Sequence, residues 1–577
     1  MKDTALNASV QSIDIKRAFV CSGTQHVHYR VCGSGPAVVM LHDSPRSSRL
    51  HLPTMQQLAR HFTVFALDTP GYGNSGPISV DQPEISDFAE ALHAVLRALG
   101  LENAPLYATH TSAKIALEYA ASFGGPPRLI LDGLSIPKAP TPPAFIQAYM
   151  RPFRKDDAGG FIANEWTRIR DMLRWFPWFD PCAGNRMQLE VTPEWIQEYT
   201  IDLFAAGPHY SDAYAAAMRY DPLSALKRVC APTVVGARAD DVLFESLQRV
   251  PTGDNSKLAT APLPADKSVW LDWLIAEFKK SPDVALTRPD QSAGPSGRRV
   301  YVQASEGQMC VYQYGDRSSD TVLVLDTPTI VQGQQWAKQL ESRFHVILPE
   351  LPGLGESDPL TTPSTDAFVE ALVAAIDALA NGSVTILATG LSAPLAIRLA
   401  ADAPDRVKSL IIDGGISRSA FPEAHQISEL TPHFEFSYAG THLHEIWQML
   451  RDSQASWPWH DRICGSHRKL QPLMNHKALY DSFLGILKQP EHYGDAIEVC
   501  FNLSSSLPIL RETVDILFLN LEGDPAFADV ESIASTLSNA VVRERPNSTD
   551  EAVLIVHDFL QASQGARLPN LPPHLET

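Results

Sequence analysis

A histidine stands at a sharp predicted turn of the chain, between an apolar strand and an apolar helix. The stretch LYATHTSAKIALEYA (106–120) opens with the strand-like run Leu106–Ala108 and becomes helical from Ile115 onward. The first backbone N–H groups of that helix surround His110 with positive potential, which favours the neutral imidazole of a general base, nucleophile or hydrogen-bonding electrophile. We predict that His110 is neutral near neutral pH and is the chemical centre; the alternative is a remnant of a lost site.

The surrounding residues predict the elements that hold this turn. Apolar runs such as AVVML (37–41) and FTVFALD (62–68) alternate with helical stretches such as SDFAEALHAVLRALG (86–100). Strands that are apolar throughout, alternating with helices, are typical of a parallel sheet with helices on both faces. A long insert with helical periodicity follows the strand that ends at Asp132. We expect this insert to cover the sheet.

The second half of the chain repeats the first. LYATHTSAKIALEYA recurs as ILATGLSAPLAIRLA (386–400), and FALDTPGYGNSGP (65–77) recurs as VILPELPGLGESDP (346–359). The matching landmarks, 280 to 282 positions apart, are Gly71 and Gly353, His110 and Gly390, Asp132 and Asp413, and Trp166 and Trp447. This constant separation indicates two whole domains.

The repeats and the composition between them divide the chain. The predicted parts are a first domain (1–280, insert about 136–225), a linker (281–298), a second domain (299–565, insert about 417–508) and an extended tail (566–577). The linker is predicted from its Pro, Gly, Ser and charged residues.

The order of motifs resembles the α/β-hydrolase superfamily: strand, oxyanion loop, D-x-x-G-x-G-x-S turn (Asp68 to Ser75 in the first half), nucleophile elbow, cap insert and acid-bearing loop. The resemblance implies two tandem α/β domains, each a mainly parallel, doubly wound sheet with a helical cap. It places His110 at the serine of the G-x-S-x-G elbow. It places Ser112 at the second glycine, where a small residue is needed for packing.

The resemblance also indicates what the chain lacks. The nucleophile position holds His110 in the first half and Gly390 in the second, and the acid position holds Asp241 and Asp524. The superfamily's histidine after the last strand is missing twice, since none lies between Asp241 and the linker and His557 falls inside the last predicted helix. Neither half has a Ser-His-Asp triad, so we expect no serine-esterase chemistry.

Two carboxylates are candidates for orienting the imidazole of His110. Asp132 and Asp241 both follow predicted strands, at the edge of a parallel sheet where ligands bind. We predict that one of them reaches the ring and fixes its tautomer. Asp241 is preferred because it occupies the superfamily's acid position.

The oxyanion loop MLHDSPRSS (40–48) brings His42, Asp43 and Ser44 to the elbow, beside Thr111 at the helix start. The resemblance implies glycine where Asp43 stands, and a carboxylate there repels developing negative charge unless it turns away. Two roles remain open for Asp43. It caps its own loop through an Asx-turn, or it orients His110 or binds a polar substrate group.

Each insert carries the pattern W-x-x-x-R-D followed by P-W. The candidate pocket residues are Trp166, Arg170, Trp175 and Trp178 in the first half and Gly390, His442, Trp447 and Arg451 in the second. One interpretation is an aromatic pocket in which arginine binds a substrate carboxylate. The other, which the usual behaviour of aromatic residues favours, is a buried tryptophan with an ion pair that locks the cap.

Composition argues against several partners. The chain has 47 Lys and Arg against 66 Asp and Glu, a formal net charge of −19 at pH 7, so nucleic acid and anionic membrane are not expected as main partners. No C-x-x-C pair, metal-ligand spacing, phosphate loop or dinucleotide fingerprint occurs, so neither a metal nor a cofactor is expected. No signal-peptide core or membrane-length apolar run occurs, and a cytoplasmic protein is expected.

These observations predict cofactor-independent catalysis at His110 on a small or medium apolar substrate with an activated carbonyl. The reaction is hydrolysis of an ester, lactone or C–C bond, or lyase or isomerase chemistry with His110 as general base. The rival hypothesis is a binding protein whose caps enclose a ligand without turnover. The second half is expected to be structural or regulatory, and the two halves to form an intrachain pseudo-dimer.

Overall fold

The structure is a computed structural model that describes residues 13–23, 25–187, 191–282, 299–415, 427–461, 466–505, 514–528, 530–537 and 539–565. The chain divides into two compact units, one of Met1–Arg154 with Asn164–Gly294 and one of Lys155–Ala163 with Pro295–Thr577. The predicted tail and all but the first two residues of the predicted linker lie outside the described residues, as does the start of the second insert. Within the described ranges, no helix combines the length and apolar character needed to cross a membrane.

The first half of the chain contributes eight strands and nine helices to the described residues. The strands are β1 (Lys16–Ser22), β2 (Gln25–Cys32), β3 (Ala37–Leu41), β4 (Thr63–Leu67), β5 (Leu106–Thr109), β6 (Leu129–Asp132), β7 (Thr233–Arg238) and β8 (Leu258–Leu263). The helices are α1 (Leu52–Leu58), α2 (Ile85–Leu99), α3 (Thr111–Phe123), α4 (Pro143–Tyr149), α5 (Gly160–Met172), α6 (Pro193–Ala206), α7 (Asp212–Arg219), α8 (Leu223–Arg228) and α9 (Lys267–Phe278).

The second half contributes the corresponding set. The strands are β9 (Arg299–Ala304), β10 (Gly307–Tyr314), β11 (Thr321–Leu325), β12 (His345–Pro349), β13 (Val384–Gly390), β14 (Val407–Gly414), β15 (Asp515–Asn520) and β16 (Ala540–Glu544). The helices are α10 (Val331–Leu340), α11 (Thr365–Leu379), α12 (Ala393–Asp402), α13 (Ile427–Leu430), α14 (Thr441–Ser453), α15 (His476–Lys488), α16 (Asp495–Leu503), α17 (Val530–Ala534) and α18 (Thr549–Gly565).

The two sheets have the same strand order. The first runs β1-β2-β4-β3-β5-β6-β7-β8, and the second runs β9-β10-β12-β11-β13-β14-β15-β16. In each sheet the first two strands are antiparallel and the other six are parallel to one another. Strands β3, β4, β11 and β12 are buried at every residue, which explains their continuous apolar runs. The predicted fold class and duplication are confirmed.

The predicted inserts lie between the sixth and seventh strands of each sheet. Helices α4 to α8 lie between β6 and β7, and helices α13 to α16 lie between β14 and β15. None of the described residues of either insert belongs to a strand of the sheets. The inserts are therefore helical additions to the sheets.

The turn after β4 fixes the oxyanion loop of the first unit. Asp68 accepts hydrogen bonds from the backbone N–H groups of Ser48 (2.7 Å) and Asn74 (2.9 Å), and its Oδ2 lies 2.7 Å from His28 Nδ1. Burial opposes ionisation of Asp68, but His28 and other nearby cations hold its pKa below the ordinary value. A Cβ at Gly73 (φ 54°) would lie 2.2 Å from Asp68 Oδ2, so the turn requires glycine there.

The second unit neutralises the carboxylate near the end of β14 internally. Asp413 Oδ2 accepts hydrogen bonds from Trp336 Nε1 (2.7 Å) and Arg545 Nη2 (3.0 Å). The Asp413 and Arg545 side chains are 1% and 0% exposed. Arg545 follows β16, where the resemblance places the missing histidine, so a structural cation stands at that position.

Replacing Arg545 with methionine is expected to destabilise the second unit by about 3–5 kcal/mol, because it leaves the buried Asp413 carboxylate without its counter-charge. Urea denaturation of the full chain measures the loss, and hydrogen exchange of β14 peptides assigns it to this unit. Arg406→Met is the control. It removes an exposed pair with Asp377 (46% and 48% exposed), which solvent screens, and is expected to change stability little. Equal losses in both variants would contradict the assignment.

Candidate functional site

His110 occupies a sharp turn between β5 and α3. Its backbone has φ 48° and ψ −108°, and only Gln82 shares a positive φ among the described non-glycine residues. Its N–H donates to the Asp132 carbonyl oxygen (2.9 Å). This conformation costs a non-glycine residue on the order of 1 kcal/mol or more, and such strain is often found at functional sites. Glycine avoids that strain at the equivalent Gly390, which has φ 64°.

The imidazole of His110 is clamped on one edge. Nε2 lies 2.8 Å from Asp241 Oδ2, in the loop after β7, and Asp241 Oδ1 accepts the Leu243 N–H (2.8 Å). A Cβ at Gly133 would lie 2.2 Å from His110 Cδ2. The edge that carries Cδ2 and Nε2 therefore faces the strand ends, and the edge that carries Nδ1 faces away. The His110 side chain is 37% exposed.

The protonation state of His110 differs from the prediction. Burial lowers its pKa, but the hydrogen bond and charge of Asp241, with the charges of Asp43 and Asp132, raise it to about 9. The ring is thus an imidazolium at neutral pH. The prediction of a neutral ring considered only the helix N-terminus and left out the three carboxylates, which raise the pKa of the ring.

Asp132, the other predicted partner, does not bond to the ring. Its Oδ2 accepts the Tyr107 hydroxyl (2.7 Å), and burial raises the pKa of its carboxyl group. Of the two candidates, the structure places Asp241 against the imidazole, and Asp132 influences it through charge.

The oxyanion loop contains one structural histidine and one unpaired carboxylate. His42 Nε2 accepts the Thr69 N–H (2.9 Å), so its proton lies on Nδ1 and is donated to the Asp43 carbonyl oxygen (2.7 Å). Ser44 hydrogen-bonds the hydroxyl of Tyr72. The Asp43 carboxylate makes no hydrogen bond to a described residue, and its Oδ1 is buried. The Asx-turn predicted as one alternative for Asp43 is therefore absent from the described contacts.

The start of α3 presents a backbone donor rather than a serine nucleophile. The Ser112 hydroxyl is buried and donates to the His42 carbonyl oxygen, as that of Ser392 does to Leu325 O (2.9 Å) in the second unit. Thr111 is buried in the first helical turn, where backbone N–H groups lack helical partners. Its N–H is therefore a candidate donor to a ligand oxygen.

The four predicted pocket residues of the first insert have no described contact with His110. Trp166 and Trp178 are buried, and Trp178 Nε1 donates to the Tyr149 carbonyl oxygen (3.0 Å). Trp175 is half-buried with the Arg186 guanidinium 5.9 Å from its ring centre, and Arg170 is half-buried. Trp178 and Trp175 therefore have partners within the cap. The helical spacing that suggested a pocket is also the spacing of a packed cap.

The first two residues of the predicted second-half pocket, Gly390 and His442, have close neighbours within the second unit. A Cβ at Gly390 would lie 2.8 Å from Asp326 Oδ1, so this elbow is filled by a carboxylate. His442 is buried, its pKa lowered to about 4 by burial, and its Nδ1 accepts the Ser437 N–H (3.3 Å).

The remaining two side chains of that predicted pocket also have structural partners. Trp447 is fully buried against Phe483, and Arg451 donates to the Met474 carbonyl oxygen (3.1 Å). Neither has a described contact with Gly390. Across the described chain, no group of three or more His, Cys, Asp or Glu side chains is arranged to hold a metal ion.

Three cap tyrosines that the sequence analysis did not single out lie near the site. They are Tyr149 on α4, Tyr199 on α6 and Tyr214 on α7, and the Tyr149 and Tyr214 hydroxyls lie 3.2 Å apart. Burial raises the pKa of all three, and the negative charge of Asp43 adds to the shift for Tyr199 and Tyr214. Their spacing in the sequence carries no periodic signal, since each lies on a different helix.

A buried ion pair connects the cap to the oxyanion loop. Arg46 Nε lies 2.7 Å from Asp202 Oδ2, and Ser47 donates to Asp202 Oδ1 (2.6 Å). All three residues are buried. Because Asp202 lies on α6 with Tyr199, the loop that carries Asp43 and the helix that carries Tyr199 are held together.

Comparison with known proteins gives one family. A family model described as alpha/beta hydrolase fold matches residues 36–195 and 331–442. An uncharacterized protein of Mycobacterium tuberculosis (strain ATCC 25618 / H37Rv) is 28% identical over 95 residues, which are 16% of this chain and 28% of that protein. A pimeloyl-[acyl-carrier protein] methyl ester esterase of Pseudoalteromonas atlantica (strain T6c / ATCC BAA-1087) is 36% identical over 67 residues, 12% of this chain and 26% of that one. The chain thus spans less than a third of either relative.

Solved structures match about half of the chain. Haloalkane dehalogenase DbeA from Bradyrhizobium elkani USDA94 has 17% identity and a TM-score of 0.36, over 46% of this chain and 99% of that one. E-2-(acetamidomethylene)succinate hydrolase has 16% identity and a TM-score of 0.33, over 46% and 99%.

The raised pKa of His110 predicts a pH-dependent stability. The folded pKa of about 9 exceeds the ordinary 6.5, so the stabilisation is complete below pH 6.5 and is lost as the pH rises to about 9. Urea unfolding between pH 6 and pH 10 should show this fall in the wild type and a smaller fall in His110→Gln. His557→Gln, a half-buried histidine on α18, should retain the wild-type fall. Identical pH profiles for wild type and His110→Gln would contradict the raised pKa.

No serine of the elbow is expected to form an acyl-enzyme. An organophosphorus probe should leave the protein unlabelled, because the Ser112 hydroxyl is buried and bonded to the backbone. Intact-mass spectrometry measures labelling, with a serine esterase as positive control. An adduct mapped to Ser112 would overturn the structural assignment.

Proposed function

We infer that this chain, which belongs to the α/β-hydrolase superfamily and carries its fold twice, is a cofactor-independent enzyme whose chemistry is done by the first unit. The reaction is cleavage of an ester, lactone or activated C–C bond in a small or medium apolar substrate. Fold alone does not establish activity, so the proposal depends on the residues at the elbow.

The observation that carries the proposal is the oriented imidazole of His110. Its Nε2 is held by Asp241 at 2.8 Å, its Nδ1 belongs to the opposite edge of the ring, and the side chain is 37% exposed. A purely structural histidine is more often satisfied on both nitrogens. A strained backbone that holds a partly exposed imidazole against a carboxylate supports a catalytic role.

The charge of the ring determines which role fits. An imidazolium donates a proton and stabilises negative charge, whereas a ring with a pKa of about 9 is rarely free to accept a proton at neutral pH. His110 is therefore proposed to bind the substrate carbonyl oxygen through Nδ1–H, together with the Thr111 N–H, and then to protonate the product. Positioned donors of this kind act on charge that develops in the transition state.

The second unit supports the first without its own chemistry in this proposal. Its elbow residue, Gly390, has no side chain, and Asp326 occupies the adjacent space. The buried pair of Asp413 and Arg545 occupies the position at which the first unit has the buried carboxylate Asp132, which accepts the Tyr107 hydroxyl instead of pairing with an arginine.

The proposal predicts that His110→Gln lowers kcat by about 100-fold or more, as expected for loss of a general acid. A panel of p-nitrophenyl esters, γ- and δ-lactones and β-hydroxy ketones identifies turnover, and kcat/KM should fall as the pH rises through about 9. His557→Gln is the matched control and should retain activity. Full activity in His110→Gln would make the residue a relic, and ligand binding without turnover across the panel would favour a binding protein.

A further inference from the structure

Asp43 is a carboxylate that the described residues leave unsatisfied. It is half-buried, its Oδ1 is fully buried, and neither oxygen accepts a hydrogen bond from the described residues. Burying a charged oxygen without a donor is unfavourable, so such an atom normally has a partner when its site is in use.

In the second unit, the equivalent aspartate has its hydrogen-bonding capacity used within the protein. Asp326 stands at the equivalent loop position and is 3% exposed. Its Oδ2 accepts the Gly333 N–H (2.9 Å), and Oδ1 lies against the elbow glycine. The backbone donors around Asp326 thus satisfy its carboxylate within the protein.

The elbow residue explains the difference between the two carboxylates. A Cβ on Gly390 would lie 2.8 Å from Asp326 Oδ1, so a side chain at the elbow and a carboxylate in that place exclude each other. His110 has such a side chain, and Asp43 therefore cannot adopt the arrangement of Asp326. The histidine leaves Asp43 beside the site without an internal donor.

We propose that Asp43 accepts the hydroxyl proton of a β-hydroxy carbonyl substrate, and that the first unit cleaves the bond between the α and β carbons of this class of compound. This inference rests on the proposed function of His110. Asp43 lies in the loop that the Arg46–Asp202 and Ser47–Asp202 contacts join to cap helix α6, and its charge acts on His110 and on Tyr199.

The reaction balances without water or a cofactor. Asp43 takes the proton of the β-hydroxyl group, and the electron pair of that O–H bond forms the carbonyl of an aldehyde or ketone. The Cα–Cβ bond breaks, and its electron pair forms an enolate whose oxygen is held by the His110 imidazolium. His110 then protonates the α carbon, and the proton on Asp43 returns to the imidazole.

The surrounding residues suit an apolar substrate with few polar groups. The cap contributes the tyrosine rings of Tyr149, Tyr199 and Tyr214, and the buried pair of Arg46 and Asp202 holds the loop that carries Asp43. Arg46 Nε is paired with Asp202 Oδ2 at 2.7 Å.

The test uses two ketones that differ only in the hydroxyl group, 4-hydroxy-4-phenylbutan-2-one and 4-phenylbutan-2-one. The wild type should cleave the first into benzaldehyde and acetone, measured by chromatography, and bind it more tightly than the second. Asp43→Asn should lower kcat by about 100-fold or more, with little change in the Kd of 4-phenylbutan-2-one. Asp326→Asn, the matched control in the second unit, should keep kcat within about twofold.

A second measurement does not depend on the substrate. The pKa of His110, followed by NMR, should decrease in Asp43→Asn and remain unchanged in Asp326→Asn, since only the first variant removes a charge that acts on the ring. An unchanged pKa of His110 in folded Asp43→Asn would overturn the placement of this carboxylate. Equal Kd values for the two ketones and no cleavage above the uncatalysed rate would overturn the substrate class.

The outcomes separate this inference from the proposed function. If ester or lactone turnover depends on His110 but the hydroxy ketone is not cleaved, the proposed function stands and this inference fails. If no turnover of any substrate depends on His110, both fail. If the wild type and Asp43→Asn cleave the hydroxy ketone equally fast, the lyase activity stands but Asp43 has no part in it.

Discussion

The first unit is organised around a strained turn whose side chain is clamped by a carboxylate. His110 adopts φ 48° between a strand and a helix, and Asp241 holds Nε2 at 2.8 Å. Gly133 lies so close to Cδ2 that no larger residue fits beneath the ring. With one edge held against the strand ends, the charged ring has only its other edge available to a ligand. The roles of the neighbouring oxyanion loop and cap depend on where they lie relative to this fixed cation.

Because one chain carries the same fold twice, the two units show how the elbow residue alone changes the surroundings of the loop aspartate. Both units have the same strand order and the same aspartate in the oxyanion loop. Where the elbow is Gly390, Asp326 turns inward and is satisfied by backbone donors. Where it is His110, the carboxylate of Asp43 has no such place. The side chain at the elbow thus decides whether the loop carboxylate is satisfied by backbone donors or is left without a hydrogen-bond donor.

Buried polar contacts connect this site to the rest of the first unit. Asp68 ties the oxyanion loop to the turn after β4 through Ser48, and Asp202 ties it to cap helix α6 through Arg46. Interactions of this kind are expensive to break because each leaves a buried charge unpaired. The cap and the loop are consequently held together. The position of the cap tyrosines relative to the elbow therefore depends on contacts throughout the first unit.

The sequence by itself determined the two-domain α/β fold, the duplication, the elbow position of His110 and the absence of a serine triad. Each is encoded in local patterns, namely apolar periodicity, glycine spacing and residue identity at aligned positions. It also named Asp241 as the preferred partner, because that residue occupies the superfamily's acid position after a late strand.

Only the tertiary structure decided the charge of the ring and the residues around it. The pKa of His110 depends on Asp43, Asp132 and Asp241, which come from three distant segments and together raise it. The cap tryptophans and tyrosines have similar apolar patterns in sequence. Which of them packs within the cap and which lies within reach of the charge of Asp43 depends on how the helices are oriented over the sheet, and no local spacing records that orientation.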